Sequence, residues 1–265
     1  MDWATTGYWL ALVLAGLACG LLNTLASSGS AVTLPIMMAL GVPDAVANAT
    51  NRLPVFLGFA TSTATFARRK QLDWGAAAKM LGPLALGSVA GVLSAEHMSN
   101  RALGLLITGA ILVALLLLFT KLKQALLREL TGEPVVGPKA LLLMFATGFW
   151  LGLVVLDGAT YLMLILMLVC SYPLAQANAL KVTLGMVATG IAIAMFWGAG
   201  EIKWVEGIVL SAGSIIGGFL GVYASNLPKA KIWAFRLLVV TISIELIHLG
   251  WQYWVEYRPA VESWL

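Results

Sequence analysis

Residues 43–52 read Pro43-Asp44-Ala45-Val46-Ala47-Asn48-Ala49-Thr50-Asn51-Arg52, and residues 173–181 read Pro173-Leu174-Ala175-Gln176-Ala177-Asn178-Ala179-Leu180-Lys181. A shift of 130 residues lays Pro43 on Pro173, Asn48 on Asn178 and Asn51 on Lys181. The same register carries Gln71-Leu72-Asp73-Trp74 onto Glu201-Ile202-Lys203-Trp204, and Gly87 and Gly91 onto Gly217 and Gly221. Gly16 and Gly20 fall on Gly148 and Gly152 at a shift of 132, so two residues are lost near the break. Agreement held over so long a stretch is an internal duplication, not chance.

Working outward, the chain around these copies is apolar. Of 265 residues, 60% are hydrophobic and 11% charged, where a soluble domain runs nearer half and a quarter. That is material for about eight membrane helices of roughly 20 residues each. A disordered chain, a disulfide scaffold and a soluble enzyme are excluded. Apolar stretches fall at about 8–26, 32–40, 45–67, 74–95, 102–120, 139–170, 174–198, 204–225 and 232–254. The expected fold is all-α, a polytopic membrane bundle of about eight transmembrane segments in two homologous repeats. The repeats cover 1–121 and 139–265, joined by a polar loop at 122–138.

Two stretches do not read as simple helices. Ser27-Ser28-Gly29-Ser30 interrupts the first and Asp157-Gly158-Ala159-Thr160 the second. Non-helical backbone at membrane depth survives only when buried in protein or lining a cavity. If each interrupted stretch is a re-entrant pair, each half crosses an odd number of times and the repeats are inverted. The basic loops 68–70, 121–139 and 229–236 then share one side, which suits the positive-inside rule better than four full crossings do. Inverted repeats place a substrate site at their midplane interface.

The net charge of +4 sits in short loops, where it sets membrane orientation and does not point to nucleic acid. Cys19 and Cys170 lie in apolar stretches and read as buried thiols, with no disulfide and no metal cluster. The start of the chain, with Asp2 and no basic region, does not read as a removable signal. Trp3, Trp9, Trp74, Trp204, Trp251 and Trp254 fall near segment ends, where indoles favour the interface. Trp150 and Trp197 receive no role, and His97 reads as solvated. Glycines four apart, Gly87/Gly91 and Gly217/Gly221, allow close helix packing. No phosphate loop, zinc-protease motif or dinucleotide fingerprint is present. Neither an enzyme nor a cofactor is expected.

Charge at membrane depth costs about 2.5–3.5 kcal/mol per residue on insertion scales, and four residues carry it: Arg52, Asp157, Lys181 and Glu245. Asn48, Asn51 and Arg52 share one helical face, as do Asn178 and Lys181. Pro54 lacks an amide proton and frees the carbonyl of Thr50. A helix starting at the first break aims its N–H groups and positive dipole end inward. Serine and asparagine donors and two cations complete a site for a small oxyanion. The candidate binding set is Ser27, Ser28, Gly29, Asn48, Asn51, Arg52, Asp157, Gly158, Thr160, Asn178 and Lys181. Alternatively, Arg52 and Lys181 pair with Asp157 and Glu245 and only brace the bundle. Asp157 either balances Lys181 or carries a coupling proton. Glu245, three residues before His248, is a proton relay or a structural group.

The order of glycine-spaced helix, Ser/Gly break, Leu34-Pro35, Gly41-Val42-Pro43 and Ala47-Asn48-Ala49-Thr50-Asn51-Arg52 resembles the sulfite exporter TauE/SafE family. Gln71-Leu72-Asp73-Trp74 and the weaker second copy ending Glu201-Ile202-Lys203-Trp204 are similar too, and the likeness spans roughly 8–250. It implies an inner-membrane, multi-pass secondary transporter moving sulfite, organosulfonates or related sulfur oxyanions, usually outward. Its partners would be that small anion and lipid. The first break departs from the family's glycine-rich pattern, with one glycine among three serines, which implies a different donor array. The competing expectation is a membrane scaffold or subunit whose polar breaks serve packing only.

Overall fold

A computed structural model describes residues 3–25, 27, 29–99, 102, 105, 106, 109, 134–156, 158–225 and 227. Among the described residues all regular structure is helical. The elements are α1 (Trp3–Leu25), α2 (Ser30–Ala39), α3 (Asp44–Thr50), α4 (Arg52–Arg68), α5 (Trp74–Glu96), α6 (Pro138–Leu153), α7 (Gly158–Leu164), a π-helical turn (Ile165–Val169), α8 (Leu174–Ala199) and α9 (Trp204–Ala224). Among the described residues, four segments are long and apolar enough to cross a bilayer: Thr6–Leu25, Trp74–Glu96, Leu174–Gly198 and Trp204–Ala224. Ser30–Ala39, Pro138–Leu153 and Gly158–Val169 are apolar but shorter. The expected spans near 102–120 and 232–254, and most of the 122–138 loop, lie outside the described residues.

Local chemistry explains the helix limits. Asp73 caps α5 by accepting from Ala76 N at 3.0 Å, which satisfies an otherwise orphaned amide. Helices α3 and α4 form one bent rod. Asn51 N donates to Ala47 O at 2.9 Å, while Val55 N reaches Asn51 O at a longer 3.4 Å. The bend falls where Pro54 supplies no amide proton.

Glycines let backbones touch, and the touching atoms give the directions of the helices. Cβ atoms at Gly16, Gly20, Gly213 and Gly217 would strike the carbonyls of Leu210, Ser214, Val13 and Leu17, so α1 and α9 run parallel. Gly148, Gly152, Gly87 and Gly91 meet the carbonyls of Leu84, Ser88, Phe145 and Phe149, so α5 and α6 also run parallel. The packing role expected of the glycine pairs holds, with a correction of register. By their contacts, Gly87 and Gly91 match Gly213 and Gly217, and Leu84 and Ser88 match Leu210 and Ser214. That is one helical turn before the register aligning Trp74 with Trp204.

Helix α4 lies parallel to α9, with Leu53 against Gly207, Gly58 against Ser214 and Ser62 beside Gly218. Against α8 it runs antiparallel: Thr63 meets Thr183 at 3.3 Å, Phe59 meets Gly185 and Phe56 meets Gly190. Thus α1, α4 and α9 start at one end of the bundle, and α5, α6 and α8 at the other. Helix α2 leads from the tip of α1 back to the loop that begins α3. Helix α7 likewise returns from the tip of α6 to the loop that begins α8. Each interrupted stretch is a helical hairpin, and the two enter from opposite ends.

The first interruption lies where the polar residues place it, with Ser27 in the left-handed region at φ 66°. The second lies earlier than expected. Backbone leaves the helix at Val154, and Gly158 and Thr160 already belong to α7. Two successive β-branched residues, Val154 and Val155, are weak helix formers, and the carbonyls that end α6 are taken by side chains from α3 and α4.

Candidate functional site

Helix α6 ends at Leu153 in the interior, so its last carbonyls have no donors within the helix. Arg52 supplies them. Its Nη1 donates to Leu151 O at 2.6 Å, and its Nη2 donates to Gly152 O at 2.6 Å and reaches Leu153 O at 3.5 Å. A cation at the negative end of a helix dipole, making charge-assisted bonds, is doubly favoured. The ring of Phe196 lies 4.8 Å from the guanidinium carbon. One turn earlier, Asn48 donates Nδ2 to Leu153 O at 3.1 Å and accepts from Val155 N at 3.2 Å. That single carboxamide spans the break. Trp150, which the sequence leaves without a role, donates its indole N–H to Leu156 O at 2.8 Å.

The end of α1 is held in the same way by the other half. Lys181 Nζ donates to Asn23 O at 2.9 Å, Thr24 O at 3.2 Å, Ser27 Oγ at 3.0 Å and Asn178 Oδ1 at 3.0 Å. Asn23 turns its Oδ1 to Gly29 N at 2.9 Å. A Cβ at Gly29 would strike the Cys19 carbonyl and the Asn23 carboxamide, so only glycine fits there. Thr33 on α2 donates to Asn51 Oδ1. The breaks meet where Thr160 Oγ1 donates to Ser27 O at 3.3 Å.

Ser27, Gly29, Asn48, Asn51, Arg52, Gly158, Thr160, Asn178 and Lys181 are therefore gathered in one buried zone. Arg52, Asn51 and Lys181 have no solvent exposure at all. Within that zone, among the described residues, two donors have no hydrogen-bond partner, Arg52 Nε and Asn51 Nδ2. Ser28, Asp157, Glu245 and His248 lie outside the described residues, and with them the expected carboxylate bracing and proton relay. Among the described residues one ion pair forms, Lys203–Glu206 at 3.6 Å, at the start of α9.

Both thiols are buried as expected, but Cys19 is not in purely apolar surroundings, since Asn23 Nδ2 lies 3.4 Å from its sulfur. His97 is exposed and bonds Leu93 O at 2.7 Å through Nδ1. Outside the spans, Tyr172 donates to Asp73 Oδ2 at 3.1 Å, tying the loop before α8 to the start of α5. Burial, then the bond to that carboxylate, pushes the phenol up to about 12. Sequence reasoning missed Asn23, Thr33 and Trp150, and the backbone of Leu151–Leu153. The only available signal was the presence of polar side chains just before each break.

A model of the sulfite exporter TauE/SafE family matches residues 12–246. The chain belongs to that family of membrane transporters. Among curated relatives, the probable membrane transporter protein YfcA of Escherichia coli K12 is 26% identical over 211 residues, covering 79% of this chain and 78% of its own. The probable membrane transporter protein ORF9 of a Sinorhizobium species is 24% identical over 237 residues, covering 89% and 90%. A probable membrane transporter protein of Haemophilus influenzae is 26% identical over 208 residues, covering 78% and 80%. No solved structure matches significantly.

Proposed function

We propose that this TauE/SafE member is a secondary transporter, working as an exporter in the inner membrane, for small sulfur-containing anions. Sulfite, organosulfonates and related oxyanions are the intended class. The anion binds near the bilayer midplane, between two inverted repeats whose breaks cross there. Antiparallel contact between α4 and α8, the two helices bearing the cations, supports the inversion.

The observation that carries the reading is the donor surplus on neighbouring Asn51 and Arg52 in the buried zone where the breaks meet. Arg52 Nε and Asn51 Nδ2 are buried without acceptors, and leaving buried donors unpaired costs about 1–3 kcal/mol each. An oxyanion with several oxygens on one sulfur would satisfy both, and the planar guanidinium fork suits it. The remaining candidates (Ser27, Ser28, Gly29, Asn48, Asp157, Gly158, Thr160, Asn178 and Lys181) shape and neutralise that zone. Asp157 and Glu245 are the proposed proton-coupling groups, and a transport rate indifferent to an imposed pH gradient would remove them from that role.

One observation favours the competing reading of a scaffold: the three protons of Lys181 face four protein acceptors within 3.2 Å. A thermal-shift series with sulfite, sulfate, thiosulfate and methanesulfonate on detergent-purified protein separates the two. A ligand that binds only the folded state raises its melting point. Stabilisation by sulfite or the sulfonate, together with sulfite flux in proteoliposomes, is the expected result. If none of the four stabilises the protein and no flux occurs, the transporter reading fails.

A further inference from the structure

The helices do not pack by repeat. Helix α5, which follows α4 in the chain, packs along α6 of the second half, while α9 packs along α1 and α4 of the first. Both associations are made backbone to backbone, through Gly16, Gly20 and Gly217 on one side and Gly87, Gly91 and Gly148 on the other. Small-residue contacts of this kind leave no room for sliding. Side-chain bonds follow the same division. Ser214 donates to Pro54 O at 2.6 Å within the first group, and Ser88 donates to Ala188 O at 2.9 Å within the second.

What joins the groups is of a different kind. Across α4 and α8 the contact is made by side chains, Thr63 on Thr183 and phenyl rings on Gly185 and Gly190. The groups also share apolar packing, in one buried cluster with Leu34 and Leu53 of the first and Val92 and Phe196 of the second, and they are tied by polar bonds at the breaks. Arg52 of the first group holds the end of α6, and Lys181 of the second holds the end of α1.

We infer that the described helices form two rigid bodies, α1–α4 with α9 and α5–α8, that move on each other along the α4–α8 seam, with Arg52 and Lys181 as the latches that close it. This rests on the transporter reading and adds to it which parts move. Rigid-body displacement about an interface is a standard way to expose a site alternately. Each latch pairs a cation of one body with the helix end of the other, so opening the seam strips carbonyls from both cations. An oxyanion at Arg52 replaces the acceptors it gives up, so the bound anion favours the open arrangement through its differential affinity.

Paired cysteines test this on a chain whose Cys19 and Cys170 are replaced by alanine. Thr63→Cys with Thr183→Cys bridges the seam. Leu53→Cys with Gly207→Cys lies within one body, where a Cβ at Gly207 would stand 3.4 Å from that of Leu53, close to disulfide spacing. After oxidation with copper phenanthroline, the seam pair should lose sulfite flux in proteoliposomes by tenfold or more and recover it with dithiothreitol. The control pair should stay within about twofold. Full flux with the seam linked, or equal loss in both pairs, overturns the inference.

A second measurement needs no substrate. Thr183→Cys at the seam should react with a membrane-impermeant maleimide at least tenfold faster than Ser214→Cys inside one body, although both positions are buried. Equal rates overturn the two bodies whatever the flux. Differential labelling without sulfite flux leaves the bodies standing and sinks the transporter reading instead.

Discussion

At the first break a lysine holds the end of α1, and at the second an arginine holds the end of α6; the two cations differ in how fully they are occupied. Lys181 has three protons to give and meets four acceptors within 3.2 Å. Arg52 has five, spends its two terminal nitrogens on carbonyls of α6, and keeps Nε unpartnered beside Asn51, whose Nδ2 is also free. Two cations one position apart in the aligned copies thus do different work. The first break is closed by Lys181 of the other half with its protons fully taken up, whereas Arg52 and Asn51 each keep a donor unpaired among the described residues. On the proposed reading, anion recognition belongs mainly to the arginine side, and the lysine side is first a helix cap.

The largest expected effect separates the two cations. Arg52→Lys keeps the charge but loses the planar fork and its Nε donor, so sulfite-dependent thermal stabilisation should weaken tenfold or more. Lys181→Met should retain that stabilisation while lowering unfolding free energy by about 2–4 kcal/mol, because the carbonyls of Asn23 and Thr24 lose their cation. Sulfite titrations followed by melting temperature read both. The reverse pattern would place the anion on the lysine side.

An intermediate effect separates the amides. Asn48→Ala removes one donated and one accepted bond across the second break and should cost about 2 kcal/mol. Asn178→Ala removes the bond to Lys181 and should cost about half as much. Equal losses in denaturant titrations would mean that the breaks are braced alike.

The smallest effect lies at the loop joining α8 to α9. Burial, then the nearby Glu96, raises the pKa of half-buried Glu201. A raised carboxylate favours folding below its ordinary pKa, and that contribution is lost as pH rises through the folded value. Glu201→Gln should therefore raise the melting temperature at neutral pH by about a degree, and leave it unchanged near pH 4. A change of equal size at both pH values would rule out titration as the cause.

Much of this was legible in the chain. Arg52 and Lys181 stood out because a charge in an apolar stretch demands a partner, and Asn48 and Asn178 because helical spacing puts them beside those cations. The glycine pairs announced close packing. The second break was misplaced by a few residues because reading from Gly and Asp favours residues 157–160, whereas α6 stops at Val154. That stop depends on Arg52 and Asn48 taking its last carbonyls from about a hundred residues away. The role of Trp150 was hidden for the same reason: its partner is the carbonyl of Leu156, a backbone atom with no signature in the sequence.

The amino-acid sequence by itself determined that this is a helical membrane protein, with two cations behind two interruptions. Composition and periodicity suffice for that, because solvent preference and helix period are properties of single segments. Only the tertiary structure decided that each cation caps the other half's helix, that α5 and α9 exchange partners, and that Arg52 and Asn51 keep donors unpaired among the described residues. Those outcomes depend on which backbone carbonyl meets which side chain after packing, and carbonyls are the same at every position of the chain.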